Sequence, residues 1–280
     1  MNAPLYPLEG AVSWNMNTVC NYRCSYCTQR FLDDRKQWAR DVPGFVQGFL
    51  ALPGDWEIKL SGGEPFQHPR FIELVAALAD GGRRISVVTN LSAPARVIDA
   101  YLDATAAKPG VFSASLHLEF TDVDGFVARL AHAASRHAGP VVATCVATRE
   151  NLARGEALAA TFASAGLRLR WQAEKQDRDV VMYTEAERAA LVALNGAADD
   201  AEIAPSYLGR PCWAGSRYLI VDHRGEAWRC YPARRYKRER LGNILDGTLR
   251  LGVQAEPCRY QYCNCSVPIE RGMMARSVET

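Results

Sequence analysis

The sequence predicts an α/β fold of parallel strands joined by helical crossovers, followed by a small cysteine-rich appendage, and three observations predict it. Short β-like runs alternate with amphipathic helical stretches from residue 11 to about 175. The cysteines bunch at the two ends of the chain, three within Cys20–Cys27 and five between Cys212 and Cys265, with Cys145 alone between them. Composition shifts after the last crossover, where Tyr207 to Thr280 becomes rich in Arg, Cys and Tyr.

In chain order the β-like runs are Val12–Thr18, Trp56–Leu60, Arg84–Asn90, Val111–Leu116, Val141–Thr148 and Leu167–Trp171. Between them lie helical stretches at Val42–Leu52, Pro69–Ala79, Ala93–Thr105, Val123–Arg136 and Leu152–Ala165. Repeated strand–helix alternation implies parallel strands with right-handed crossovers. Such a pattern fits a partial barrel or an open doubly wound sheet, and the pattern does not separate the two. In either, functional loops lie at the carboxyl ends of the strands. That puts the Cys20–Cys27 loop, after the first strand, beside the Ser61-Gly62-Gly63-Glu64-Pro65 turn, after the second. A helix from Thr184 to Asn195 and a polar stretch at Asp199–Ser206 follow. Runs at Arg217–Val221 and Ala227–Cys230 flank Asp222-His223-Arg224-Gly225, which is hairpin-turn chemistry. The division expected is residues 1–205 for the α/β core and 206–280 for a small second domain, too poor in apolar residues to stand without a bound metal cluster.

Charge narrows the function. Lys plus Arg total 33 against 31 for Asp plus Glu, so the net charge of +2 selects no polyanionic partner, and neither nucleic-acid nor membrane binding is expected. Met1 to Gly10 does not read as a signal peptide, and no apolar run approaches the length of a membrane span. The expectation is a cytoplasmic protein, a compartment where disulfides are rare and nine cysteines, eight of them bunched, point to metal or cluster ligation.

Cys20-Asn21-Tyr22-Arg23-Cys24-Ser25-Tyr26-Cys27 has the spacing C-x3-C-x2-C. Three thiolates on one tight loop can each take one iron of a cubane, leaving the fourth iron without a protein ligand. Structural metal sites are closed, whereas reactive ones keep an open position. Zinc is the competing metal, but it needs a fourth ligand and the loop has no His.

This segment resembles the signature of the radical S-adenosylmethionine superfamily, including the aromatic Tyr26 before the third cysteine. The resemblance covers residues 11 to about 175. It implies a partial (β/α)6 TIM-like barrel and a [4Fe–4S] cluster on Cys20, Cys24 and Cys27. It also implies S-adenosylmethionine, chelating the open iron through its amine and carboxylate and cleaved to methionine and a 5′-deoxyadenosyl radical. Tyr26 would then lie next to the adenine. The Gly62-Gly63-Glu64-Pro65 turn resembles the family's second motif, which binds the amino group of S-adenosylmethionine. Two glycines let the backbone approach closely, and Glu64 can accept from an ammonium. Thr89 and Asn90 on the third strand and Ser115 on the fourth match places where the family contacts ribose or carboxylate, and His117 and Glu119 can face the substrate. Each is equally explained as a polar strand end.

Cys212 and Cys230 fit C-x12-G-x4-C through Gly225, and Cys258, Cys263 and Cys265 follow as C-x4-C-x-C. The first element resembles the opening of the auxiliary-cluster domains called SPASM and twitch. Too few cysteines remain for two further clusters, so twitch, with one auxiliary [4Fe–4S] cluster, is the better match. Cys212 and Cys230 are the firmest ligands, joined by two of Cys258, Cys263 and Cys265, with Cys258 and Cys263 favoured. A structural zinc ribbon is the alternative, since four cysteines suit zinc equally.

Cys145 can donate a hydrogen atom, as in radical epimerases, if it points into the barrel; otherwise it is a small buried hydrophobe. The run Arg234-Arg235-Tyr236-Lys237-Arg238-Glu239-Arg240 reads as a solvated surface loop. The function expected is hydrogen-atom abstraction from a small molecule or peptide, fed by a low-potential electron donor such as flavodoxin or ferredoxin. The first strand begins near residue 11, with no peptide-recognition extension before it, which tilts the expectation toward a free metabolite. Non-catalytic zinc binding is the reading from another class.

Overall fold

Val12, Trp14 and Met16 alternate with Ser13 and Asn15 along the first strand, a period of two that gives the strand one apolar and one polar face. In the computed structural model, which describes residues 8–29, 31–33, 35–176, 181–196, 206–261, 263 and 271–274, this strand is β1 (Gly10–Asn17). The next five are β2 (Trp56–Gly62), β3 (Arg84–Thr89), β4 (Pro109–Leu116), β5 (Val141–Ala147) and β6 (Leu169–Ala173). Each pairs in parallel with the one before it.

The crossovers are α1 (Trp38–Leu50), α2 (Phe71–Asp80), α3 (Ala95–Ala104), α4 (Val123–Arg136), α5 (Arg149–Leu152) and α6 (Gly155–Ser164), and α7 (Glu185–Asn195) follows the last strand. Phe45, Leu74, Tyr101, Phe126, Phe162 and Leu191 from these helices share one buried cluster with Trp14, Ile58, Val87, Ala114 and Cys145. The helices thus cover one face of the sheet, as in a barrel; a doubly wound sheet would carry them on both.

Two helices differ from expectation. Helix α1 starts a turn early at Trp38 and contains Pro43, because Trp38, Val42, Phe45 and Phe49 lie on one face and are all buried. Phe45 and Phe49 set their rings 4.5 and 4.8 Å from that of Trp14. The expected Leu152–Ala165 helix is split. Thr148 ends no strand but caps α5, its hydroxyl accepting from the Asn151 amide, and α6 restarts at Gly155, where a Cβ would sit 2.6 Å from Leu194.

The C-terminal hairpin joins the same sheet. Strand β7 (Pro211–Cys212) precedes β8 (Tyr218–Val221) and β9 (Glu226–Trp228), followed by α8 (Tyr231–Arg235), β10 (Arg240–Asn243) and β11 (Glu256–Pro257). Strand β8 runs parallel to β1, pairing Ala11 with Tyr218 and Trp14 with Val221, and β9 and β10 add antiparallel strands outside it. Among the described residues the sheet has nine strands in the order β10-β9-β8-β1-β2-β3-β4-β5-β6, a barrel left open between β6 and β10. The expected turn is present: the Gly225 amide donates to the Asp222 carbonyl, and Gly225 takes φ +83°, open to glycine. Strands β7 and β11 pair separately.

Arg271 pins the far end of the chain onto the sheet. Its guanidinium donates to both oxygens of Glu57 on β2 at 2.6 and 2.8 Å, and the two side chains are 2% and 0% exposed. Cys265 and residues 199–205 of the expected polar stretch lie outside the described residues. No described helix is long and apolar enough to cross a membrane.

Candidate active site

The cysteine loop begins where β1 ends and is closed by Thr18, whose hydroxyl donates to the Leu32 carbonyl at 2.6 Å and accepts from the Leu32 amide at 3.1 Å. Inside it, the Cys27 amide donates to the Cys24 carbonyl and the Tyr22 amide donates to the Cys20 sulfur at 3.4 Å. Arg23 donates to the carbonyls of Cys20 and Tyr22 and lays its guanidinium 4.1 Å over the Phe31 ring. The sulfurs stay accessible: Cys27 is exposed, Cys20 and Cys24 half-buried.

Burial pushes the Cys20 thiol up and that of Cys24 up to about 11, and the neighbouring thiols raise both further. Such thiols ionise when a metal replaces the proton. The donors fit a cubane: three cysteines on one accessible loop, each free to take its own iron. Zinc would need a fourth ligand, and none of the loop's other side chains is a His.

The Gly62–Pro65 turn packs directly beneath this loop. Asn17, the last residue of β1, accepts from the Gly63 amide through its side-chain oxygen at 3.0 Å and donates to the Glu64 carbonyl at 2.9 Å. The Glu64 amide in turn donates to the Val19 carbonyl. A Cβ on Gly63 would lie 2.0 Å from that carbonyl oxygen, and Gly62 has φ +129°, so both glycines are required by the approach of the two loops. Sequence reasoning misses Asn17. Its one signal is a further polar residue, after Ser13 and Asn15, that carries the strand's polar face up to the cysteine loop.

Glu64 lies in the turn beside the loop, with its side chain already hydrogen-bonded within the chain. Its carboxylate is buried and accepts from the Thr89 hydroxyl at 2.7 Å, the Asn90 amide at 2.7 Å and the Phe66 amide at 3.2 Å. These donors belong to the chain, so Glu64 braces the ends of β2 and β3 against each other. Burial pushes its carboxyl up to about 7, against the pull of those three hydrogen bonds. Thr89 and Asn90 are therefore brought to the site, Thr89 as a donor to Glu64 and Asn90 as a link to the cysteine loop. The Asn90 side-chain amide donates to Asn21 at 2.9 Å and points at the Cys20 sulfur at 4.0 Å. Pro65 opens a short 3-10 turn.

From the other side, the residues after β4 hold the same loop. Glu119 accepts from the Ser25 amide at 3.0 Å and the Ser25 hydroxyl at 2.7 Å, which ties it to the loop and away from a substrate role. His117 lies within hydrogen-bond distance of the Tyr26 phenol at 2.8 Å and the Cys24 sulfur at 3.2 Å and stacks on the Tyr26 ring. Burial lowers the His117 imidazole to about 4 and raises the Tyr26 phenol, so both groups are favoured neutral and the His117 tautomer sets which of them donates. Ser115 lies on the face away from the helices, with its hydroxyl 3.2 Å from that of Thr144.

Cys145 is a correction. It pairs with Leu116 and Trp171, shares the parity of Ala143 and Ala147, and is 2% exposed within the strand–helix core. The neighbouring Thr144 and Val146 take the opposite face. Burial pushes its thiol up to about 12. A hydrogen donor must reach the barrel interior, and this side chain packs on the other side of the wall.

The second group of cysteines shares one site. Cys212, Cys230, Cys258 and Cys263 all line a single open pocket. Cys212 and Ala214 on its wall belong to a buried cluster with Ala11, Tyr218, Ile220 and Met273, against which Cys230, Tyr231 and Cys258 pack. Arg229, missed from the sequence, ties the loops together. It donates to the carbonyls of Ala214 at 2.9 Å and Glu256 at 3.0 Å, two residues from Cys212 and Cys258, and pairs with Glu239 at 2.9 Å. The cavity lies beside the first residues of β1, at the end opposite the Cys20–Cys27 loop. Tyr231, next to Cys230, reaches back to Asn15 with its hydroxyl.

Comparison with known proteins agrees with this geometry. The radical SAM superfamily profile matches residues 14–151. The GTP 3′,8-cyclase of Klebsiella pneumoniae (strain 342) is 34% identical over 101 residues, 32% of this chain and 30% of that protein. The GTP 3′,8-cyclase of Synechococcus elongatus is 32% identical over 83 residues, 27% of this chain and 25% of its own length. The matched segment thus spans less than a third of these relatives. In fold, the chain is similar to anSMEcpe with bound AdoMet (TM-score 0.60, 15% identity, 86% of this chain and 76% of that one). It is also similar to Streptococcus suis SuiB bound to the precursor peptide SuiA (TM-score 0.58, 13% identity, 86% and 64%). With a cysteine loop at the carboxyl end of β1 and a glycine-rich turn locked beneath it, residues 14–151 match the radical SAM superfamily profile and fold as part of a partial TIM barrel.

Proposed function

We propose that this chain is a radical S-adenosylmethionine enzyme that abstracts a hydrogen atom from a small molecule or peptide, with net oxidation of the substrate. The observation that carries the reading is the convergence of the accessible Cys20, Cys24 and Cys27 loop with the Gly62-Gly63 turn, two segments well apart in sequence and locked through Asn17. When bound, a [4Fe–4S] cluster on these thiols supplies the electron that splits the sulfonium of S-adenosylmethionine to a 5′-deoxyadenosyl radical.

The chain's own residues do the rest. Glu119 and Thr18 fix the two sides of the cysteine loop, Asn90 and the Tyr22 amide direct donors at Cys20, and the His117–Tyr26 pair holds an aromatic face at the loop's rim. Hydrogen bonds of this kind orient ligands and tune a metal site. Glu64 keeps the strand ends rigid, so that Gly62 and Gly63 present backbone to a ligand's ammonium. Ser115 and Thr144 place hydroxyls on the concave wall below.

Four cysteines on one cavity favour a second, fully ligated [4Fe–4S] cluster on Cys212, Cys230, Cys258 and Cys263, suited to accepting the electron that substrate oxidation releases. Peptide substrates are supported by the fold's likeness to proteins bound to SuiA and to the Cp18Cys peptide. A cytoplasmic location and a flavodoxin- or ferredoxin-like donor complete the reading.

The test is anaerobic purification with iron, sulfide and zinc analysis, followed by dithionite-driven release of 5′-deoxyadenosine. About eight irons per chain with matching sulfide, about four on replacing Cys20, Cys24 and Cys27 by Ala, and nucleoside release lost in that variant, are expected. Zinc without sulfide would end the enzyme reading.

A further inference from the structure

Strand alternation assigns every side chain of β2 to one of two faces. Ile58 and Leu60 enter the core under the helices, so Glu57, Lys59 and Ser61 line the concave wall that the helices leave uncovered. On that wall Glu57 is already satisfied, with Arg271 on both oxygens and the Ser86 hydroxyl 2.5 Å from one of them. Lys59 is near enough to favour ionisation of Glu57, yet it gains no contact with it. Half-buried, Lys59 has no hydrogen bond or ion pair among the described residues. By register it stands level with Ser13 and Ser86, one layer below Ser61 and the Gly62-Gly63 turn. Arg170 on β6, paired with Thr144 on β5, brings a further cation to the same face. Among the described residues of β1–β6, Glu57 is the sole carboxylate on this face, and Arg271 neutralises it.

A half-buried ammonium without a partner is unfavourable unless a ligand's charge completes it. We infer that Lys59 anchors an anionic group of the substrate, a carboxylate or a phosphate, inside the barrel beneath the cysteine loop. The substrate is thus an acid or a phosphate ester, held by a charge-assisted hydrogen bond to the Lys59 ammonium. The inference rests on the barrel being the substrate cavity of the proposed radical enzyme.

The probes are radiolabelled pyrophosphate and malonate, which separate the phosphate from the carboxylate source. Each is dialysed against anaerobically reconstituted enzyme saturated with S-adenosylmethionine, whose own binding is read in the same cell. At least one probe binds the unaltered enzyme. Its affinity falls roughly tenfold to a hundredfold in Lys59→Gln, the range of a hydrogen bond to a charged group. It is largely kept in Lys59→Arg and unchanged in Lys108→Gln, which removes a lysine elsewhere. The bound probe also protects Lys59 from acetic anhydride, read by mass spectrometry on the unaltered chain, so the contact is tested without a variant. Failure of both probes to bind, equal binding by Lys59→Gln, or no protection overturns the inference. Failure of S-adenosylmethionine alone to bind strikes the cofactor reading and leaves a Lys59-dependent probe signal intact.

Discussion

Replacing Arg271 by Met should strand a carboxylate in the core, and the size of that effect follows from the geometry. Glu57 is 0% exposed, and its two hydrogen bonds to Arg271 are 2.6 and 2.8 Å long. Burial alone would push the Glu57 carboxyl up; the Arg271 guanidinium overrides it and holds the carboxyl below its usual value. Breaking a buried pair by removing one partner costs about 3–5 kcal/mol. For a chain of this size, at about 2 °C per kcal/mol, the midpoint of thermal unfolding falls by roughly 6–10 °C. Replacing both partners, as in Glu57→Leu with Arg271→Met, removes the stranded charge and should recover at least half of that loss. The Ser86 hydroxyl then lacks its acceptor, which keeps recovery incomplete.

The pH dependence has opposite signs in the two proteins. With Arg271 present, the pair's contribution is full above the unfolded carboxyl value and lost as pH falls through the lower folded value. Without it, burial raises the folded value, the neutral acid is favoured, and stability is lost as pH rises. The gap between the unaltered chain and Arg271→Met should therefore narrow from pH 7 to pH 5 in anaerobic calorimetry. A variant melting within about 1 °C of the unaltered chain, less than half a kcal/mol on the same scale, would refute the stranded charge. So would a gap that does not change with pH.

Three further outcomes are expected. Glu64, raised to about 7, disfavours its ionised form, so its contribution to stability falls by about 3 kcal/mol as pH rises from the unfolded value through about 7; Glu64→Gln should flatten that slope in melts between pH 5 and 8, while losing the acceptor for the Asn90 amide. Glu119→Ala removes both tethers to Ser25 at an exposed site, worth about 1 kcal/mol, and should speed iron loss to a chelator about fivefold, with Glu119→Gln intermediate. Arg229→Met should lower iron from about eight to about four per chain by releasing the loops that carry Cys212, Cys230 and Cys258, with electron paramagnetic resonance showing the N-terminal cluster retained.

Much of the fold is legible in the sequence because its strands obey a strict pattern. Helix α4 matches its expected limits, and most strand ends shift by only one or two residues, since alternating apolar positions state the register directly. The joining of β8 to β1 is not legible. A four-residue strand carries no signal of which edge it will pair with, and that choice is made by tertiary contacts such as the Tyr218 hydroxyl on Ser13. The cysteine loop and glycine turn are legible because their chemistry demands rare residues at fixed spacing. The direction of the Glu64 carboxylate is not, for motif spacing reports a residue's place and not which of two networks its side chain joins. Cys145 is the same case at one remove. Its strand is recognisable, but a one-residue change of parity decides between cavity and core, and the Val141–Thr148 run places apolar residues on both faces.

The arrangement of the two cysteine groups on one strand bears on the proposed chemistry. Cys20 follows the end of β1, while Cys212, Cys230 and Cys258 gather at the cluster that holds Ala11 at its start. The extended strand between Ala11 and Asn17 spans about 20 Å at ~3.3 Å per residue. The concave wall between the two groups carries Ser13, Asn15, Lys59 and Ser115, and Tyr231 links the second group to it through Asn15. A substrate on that wall would stand between a site that generates a radical and one that can take an electron. Nearness to both is what oxidation requires, and an epimerisation needs only a hydrogen donor, which Cys145 does not supply from behind the wall. If iron at the second site can be removed, as in Cys230→Ala, nucleoside release without substrate should persist while the oxidised product disappears; product formation at the original rate in that variant would separate the second site from the reaction altogether.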